Sequence, residues 1–331
     1  MKKQSDIQKR IIIILSAMSL IALLFILSTI GSVRISLSDI IHEMIYGGNQ
    51  MAHTIVFQMR LPRNILAALV GAGLAVSGLL LQAVMKNPLA DPGITGVSSG
   101  ATVVAIMIML VLPRFMPLMP LLSFIGGAIA CALVYLMAWK NGLQPGRIVL
   151  AGVAVNSILG GVISFFSVMY SDRIQSALLW LNGSLSARTW QDVKTLSVYV
   201  TVGLVASCFL IRSANMLQLG DEAAINLGVN LNLTRLLISI VAVFLAASIT
   251  SIVGIISFVG LIVPHMARML LGSDHRYTLP FSMVLGGIVL LLADTLARTI
   301  GGSIEIPVGV MMSIVGGPFF LYLLRKRGIT S

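Results

Sequence analysis

Apolar residues in this chain come in long unbroken runs, with the polar residues gathered between them. Runs of low charge fall near 11–30, 64–85, 94–112, 118–139, 148–169, 195–211, 279–297 and 306–324, with one longer stretch at 236–271. A half-buried strand alternates with a period of two, and a membrane-spanning barrel strand needs about 9–11 such residues. These runs do not alternate, so each reads as a helix. A hydrocarbon core of about 30 Å takes about 20 apolar residues per helical crossing, with a range of roughly 17–25. Eight runs fit that length. The ninth is too long, because its 36 residues would reach about 54 Å as one helix. It is expected to hold two spans that turn near Ser251–Gly254.

Ten crossings place both ends of the sequence on one side. Lys2, Lys3, Lys9 and Arg10 precede the first run, and Arg325, Lys326 and Arg327 follow the last. The positive-inside rule makes that side cytoplasmic. The expected architecture is an all-α polytopic protein of the cytoplasmic (inner) membrane: a tail at 1–10, one ten-helix domain at 11–324 and a tail at 325–331, with short cytoplasmic helices between spans. The run at 11–30 exceeds the usual signal-peptide core of roughly 7–15 residues and has no small-residue cleavage site after it. It is expected to be a retained span.

Composition agrees with this pattern: 57% of the 331 residues are hydrophobic and 10% are charged, against about 45–50% and 25% in soluble domains. Glycines recur inside the runs (Gly71, Gly73, Gly78, Gly160, Gly161, Gly286, Gly287), as in bundles whose backbones approach closely in lipid. Cys131 and Cys208 both fall in apolar runs and read as buried small hydrophobes. His42, His53, His265 and His275 have no metal-ligand spacing. The formal charge of +11 is spread over loops on both faces, which fits headgroup contact and orientation and does not form a nucleic-acid stripe.

Catalytic signatures are missing. The chain has no phosphate-cradling G-x-x-x-x-G-K-[ST], no serine elbow and no H-E-x-x-H, so it is expected to be no enzyme and to hold no cofactor. A proton-coupled carrier needs an ionisable group within the membrane. The candidate is Asp294, four residues before Arg298, which reads as a local ion pair at a helix end.

Polar insertions carry the remaining signal. LQLGDEAAINLGVNLNLTR, 217–235, is expected on the cytoplasmic side as a short helix, a turn and a second helix. Asp221 and Glu222 suit an N-terminal turn, Ala223 and Ala224 favour helix, and Gly228 suits a stop. It lacks the Lys and Arg of a headgroup-binding helix before Arg235, so a protein partner fits it better. KNPLADPG, 86–93, is an inner loop that Pro88 and Pro92 keep from regular helix. Pro264 in VPHMAR, 263–268, is expected to break the eighth span, and the short apolar run within 172–189 to form a helix at the outer leaflet.

These insertions, together with MRLPRNILAALVGAGLAVSGLLLQAVMKNPLADPGITGVSSGA, LAGVAVNS, SFVGLIVPHMARMLLGSDHRYTLP and ADTLARTIGGSIEIPVGVMMSIVGGPFF, resemble the FecCD-type permeases of ABC importers. The resemblance covers most of the chain from Met59 onward. It implies a dimer with a second permease, identical or related, two ABC ATPase subunits that bind the ATP, and an extracytoplasmic substrate-binding protein. It further implies cargo of the iron-siderophore, haem or cobalamin class, with a ferric siderophore of hydroxamate type as the leading expectation. Cobalamin or haem import and, from another class, a proton-coupled secondary transporter are the alternatives. By the same resemblance, Leu219, Gly220, Asp221, Glu222, Ala223, Ala224, Leu227 and Gly228 contact the ATPase, with both acids as polar contacts. Arg60, Arg63 and Arg298 dock the binding protein. Asn87 and Pro88, with Gln144, Pro145 and Gly146 in the loop 141–147, border the translocation path or its gate.

Overall fold

A computed structural model describes residues 5–31, 50–140, 142–300 and 305–327. Among the described residues the regular structure is helical, apart from one isolated β-bridge between Trp139 and Leu143. The α-helices longer than one turn are α1 (Asp6–Thr29), α2 (Leu61–Met85, entered through a π-helical stretch Thr54–Arg60), α3 (Val97–Leu110), α4 (Met119–Ala138), α5 (Pro145–Met169), α6 (Ile174–Leu181), α7 (Trp190–Phe209), α8 (Ile211–Gln218), α9 (Asp221–Asn226), α10 (Leu231–Val253), α11 (Val259–Leu271), α12 (His275–Ile300) and α13 (Val308–Arg327).

Local chemistry sets several starts. Ser5 and Gln8 close a reciprocal capping box on α1, Thr189 and Asp192 close another on α7, and the Asn230 side chain accepts from the Leu233 N–H on α10. Proline stands in the first turn of α2, α4 and α5, where its missing N–H has no intrahelical acceptor to lose. The helices at each end extend into the segments read as tails: α1 runs through Arg10 and α13 through Arg327.

Seven helical stretches are long and apolar enough to cross a membrane, and three apolar helices are shorter, Val97–Leu110, Val259–Leu271 and Val308–Tyr322. The long stretch divides as expected, with α10 ending at Val253 and an unwound segment 254–258 before α11. The short helix expected within 172–189 is α6, which packs with Ala177 against Ile106 and Leu110 of α3. Pro264 does not break its span. α11 passes through it without interruption.

Helix α2 is the centre of the bundle, with 78% of its most apolar window buried against 11% for α1 and 17% for α5. It meets α12 where a Cβ on Gly71 would lie 2.1 Å from the Gly286 carbonyl oxygen, so only glycine permits that backbone approach. Gly160 and Gly161 of α5 instead face open space. The N-terminal half of α1 packs Ile12 and Ile13 with Leu271 and Tyr277, which defines a near end of the bundle; the far end carries Arg60, Leu27 and Arg298.

Candidate functional site

At the far end, Arg63 joins three segments. Its guanidinium pairs with Asp294 of α12 through Nε–Oδ2 at 2.9 Å and Nη2–Oδ1 at 3.0 Å, and Nη1 donates to both oxygens of Glu305 at 3.0 and 3.1 Å. Asp294 is fully buried. Its partner is therefore Arg63 from α2, a correction to the expected local pair with Arg298. Arg298 donates instead to the carbonyl of Leu27 at 2.8 Å, to Asn64 and to Thr295. Arg60 donates to the carbonyls of Ser28 and Thr29. Burial pushes the Glu305 carboxyl up, but the Ser186 hydroxyl and the Arg63 guanidinium outweigh it and hold the group below its ordinary range. Arg60, Arg63 and Arg298 are 7%, 9% and 9% exposed, so as the chain stands their charged ends serve its own helices.

At the near end, Gly220 and Gly228 flank α9 with φ of 105° and 80°, a backbone region that glycine enters without Cβ strain. Helix α9 is two-faced. Leu219, Glu222, Ile225 and Leu227 are exposed, whereas Ala224 is fully buried. Asp221, its side chain 45% exposed, points toward the bundle: its carboxylate takes a hydrogen bond from Lys86 Nζ at 2.5 Å and two from Arg235 Nη2 at 2.7 and 2.9 Å. Burial pushes the Asp221 carboxyl up, but these two cations outweigh it and bring it below the ordinary carboxylate value. The two acids expected to act together thus part, Glu222 to solvent and Asp221 to the bundle. The Arg235 side chain is 5% exposed and also donates from Nη1 to the Leu143 carbonyl at 2.7 Å. Leu143 N–H donates to Asn232 Oδ1 at 2.9 Å, which holds the loop in front of α5. A second tie runs from α8 to the start of α12, where Asn215 binds Asp274 at 2.8 Å and the His275 N–H at 2.9 Å. Burial raises Asp274, yet its bonds to Arg276 and Asn215 dominate and take it down to about 2.

The loop 86–96 does not stay at the near surface. Lys86 ends α2 in the left-handed region, and Asn87 Oδ1 accepts from the Leu89 N–H, so the chain folds back on itself. The Gly93 carbonyl then accepts from Asn156 Nδ2 at 3.0 Å. Asn156 stands eleven residues into α5, about 16 Å along its axis. The segment Pro92–Thr95 and the start of α3 therefore lie inside the bundle, which is why α3 is short. Across from them, unwound residues 255–257 and Gly260 open α11, and between the two interruptions lies a cavity of about 290 Å³. Asp91, Ser98, Ser99, Asn156, Thr250 and Ser257 line it. Asp91 Oδ1 accepts from the Gly93 N–H at 2.8 Å.

Gln82 braces this arrangement. Pro264 has no N–H for the Gly260 carbonyl four residues earlier, and Gln82 Nε2 fills that acceptor at 2.9 Å while also reaching the Ala90 carbonyl. Its Oε1 accepts from Arg268 Nη2.

The profile of the FecCD transport family matches residues 19–326. The chain belongs to that family. It is 39% identical over 328 residues to the Fe(3+)-citrate import system permease protein YfmE of Bacillus subtilis, covering 98% of each chain. It is 38% identical over 317 residues to a Staphylococcus aureus protein, IsdF, described as a heme-iron transport system permease, covering 96% of each. A solved structure described as a metal-chelate type ABC transporter in an inward-facing conformation superposes with a TM-score of 0.84 at 30% identity, covering 95% of this chain and 99% of that one. This FecCD chain is a multi-span membrane transport subunit and not an ATPase.

Residues singled out in the sequence fall into three groups. The segment 219–228 lies at the near end, where Asp221 meets Lys86 at the close of α2. Gln144 and Gly146 are exposed at the start of α5, with Pro145 between them, and Asn87 and Pro88 form the reversal after α2. Arg60, Arg63 and Arg298 meet at the far end, while His42 lies outside the described residues. Sequence reasoning missed Ile225 on the exposed face of α9, and also Asp91, Gln82 and Glu305. Asp91 carried a usable signal, since an Asp-Pro-Gly inside an apolar region is a buried carboxylate or a turn. Gln82 and Glu305 carried none, because their partners are distant in sequence.

Proposed function

We propose that this chain is the membrane subunit through which an ABC importer moves a ferric chelate across the cytoplasmic membrane. The observation that carries the reading is the match along 98% of both chains to a relative named for Fe(3+)-citrate import. The near end is read as cytoplasmic, and the three short helices as completing ten crossings around two broken ones. Two ATPase subunits bind and hydrolyse the ATP, and one of them meets Leu219, Glu222, Ile225 and Leu227. A second permease, a copy or a relative, covers the exposed apolar face of α5, where Leu150 is 73% and Val168 77% exposed. A substrate-binding protein docks at the far end near Arg60, Arg63 and Arg298, where Glu305 already occupies Arg63.

The cargo is a small ferric chelate, a hydroxamate siderophore in the reading from sequence. Ferric citrate is favoured by the 39% relative, and haem by the 38% one. Proteoliposomes holding the chain, its ATPase and its binding protein are tested with radiolabelled iron as ferrichrome, as citrate and as haem. ATP-dependent accumulation of one of these supports the reading and names the cargo. Accumulation driven by a proton gradient without ATP overturns it.

A further inference from the structure

Resting on the reading that 219–228 meets an ATPase, we propose that Asp221 is a positioning residue that carries the motion of that segment into the bundle. It acts through Lys86 at the end of α2 and through Arg235 to the loop ahead of α5. The backbone on both sides of α9 is soft: Gly220 and Gly228 each hold positive φ with nothing within 4 Å of the place a Cβ would take. A push on the exposed face is therefore passed on poorly by the chain itself. The stiff connection is the carboxylate. Asp221 accepts both bonds from Arg235 Nη2, at 2.7 and 2.9 Å, and Arg235 uses Nη1 on the Leu143 carbonyl at 2.7 Å. Two hydrogen-bonded steps thus join α9 to Leu143, which is 1% exposed and stands two residues before α5. A planar guanidinium fixes direction as well as distance, whereas the Lys86 ammonium adds attraction with little orientation. Among the seven long spans α5 is the least buried within its own chain apart from α1, and Gln144 and Gly146 at its start are exposed, so little of the bundle holds that end against a pull at Leu143.

The test uses the purified complex with its ATPase subunits, an environment-sensitive fluorophore on Gly146→Cys, and Cys208→Ser to remove the native thiol that, against the expectation from its apolar run, is exposed while Cys131 is buried. ATP is expected to change the signal in this parent. In Asp221→Asn the ATPase stays bound and hydrolyses within about two-fold of the parent, while the fluorescence response falls about ten-fold, the size of an ordinary coupling between sites. Asp221→Glu restores most of the response. Arg235→Lys, which keeps the charge and loses the fork, is expected to behave as Asp221→Asn and covers a folding failure of the latter. An unchanged response in both variants overturns the proposal, as does a parent whose label ignores ATP. Loss of the ATPase from Asp221→Asn also overturns it, because Asp221 is then a docking contact. The underlying reading is tested separately by Leu227→Glu with Ile225→Glu: if the ATPase stays bound to that variant, 219–228 is not its dock, whatever Asp221 does.

Discussion

Arg63 and Asp294 stand 231 residues apart and share two parallel hydrogen bonds, with the aspartate side chain fully buried and the arginine 10% exposed. Such a pair is asymmetric. Removing one partner strands the other charge away from water, at a cost of about 3–5 kcal/mol, whereas replacing both by apolar groups of similar size is often neutral. Asp294→Leu is expected to lower the melting temperature of the detergent-purified chain sharply, and Arg63→Met with Asp294→Leu to recover most of it. Equal losses in single and double variants would show that the pair does not act as a unit.

Glu305 gives the same cluster a pH response. Its folded value lies below the ordinary 4.5, so its contribution is complete above about pH 4.5 and is lost as pH falls through the folded value. The side chain is 50% exposed, which limits the contribution to about 0.2–1 kcal/mol. The melting temperatures of the parent and Glu305→Gln are expected to differ at pH 7 and to converge as pH falls below 4.5 and through the folded value. A difference that widens on acidification contradicts the assignment.

Because Glu305 occupies Arg63, a docking carboxylate must compete with it. Glu305→Gln is expected to tighten binding of the substrate-binding protein by about two- to five-fold at low salt, the scale of one exposed ion pair, and the gain should shrink as salt rises. Surface plasmon resonance on nanodisc-held permease measures it. Weaker binding would mean that Glu305 itself is a contact.

Gln82 and Pro264 make a double-variant test of the brace around the cavity. Gln82→Leu leaves the Gly260 carbonyl without its donor and is expected to cost about 1–3 kcal/mol, seen in unfolding of the purified chain. Adding Pro264→Ala restores an N–H four residues after Gly260 and should recover part of that loss. If Pro264→Ala deepens it, the proline serves packing instead.

Gly71→Ala brings a methyl within 2.1 Å of the Gly286 backbone, a contact no rotamer relieves. The expected outcome is separation of α2 from α12 and a loss of at least about 1–3 kcal/mol, as in overpacked cores. Wild-type stability in this variant would mean that the two helices can slide apart freely.

Much of the outline was readable from residues alone. Continuous apolar runs leave a backbone in lipid no option but helix, so the helices, the split near Ser251–Gly254 and the short polar helix at Asp221 followed from local composition. The motif match from Met59 onward already resembled the FecCD permeases, and the family profile covers 19–326. What escaped was pairing. Arg63 with Asp294, Asp221 with Lys86 and Arg235, and Gln82 with Gly260 each join elements brought together only by the bundle.

The division has a physical cause. Hydrophobicity and helix propensity act within a turn or two along the chain, so they are legible in one dimension; a buried charge takes whichever opposite partner the packing delivers, at any separation in sequence. Local order therefore decided which segments cross and where the polar breaks fall. The tertiary structure alone decided that Pro92–Thr95 enters the bundle, that the far-end arginines serve their own chain, and that Asp221 faces inward while Glu222 faces out.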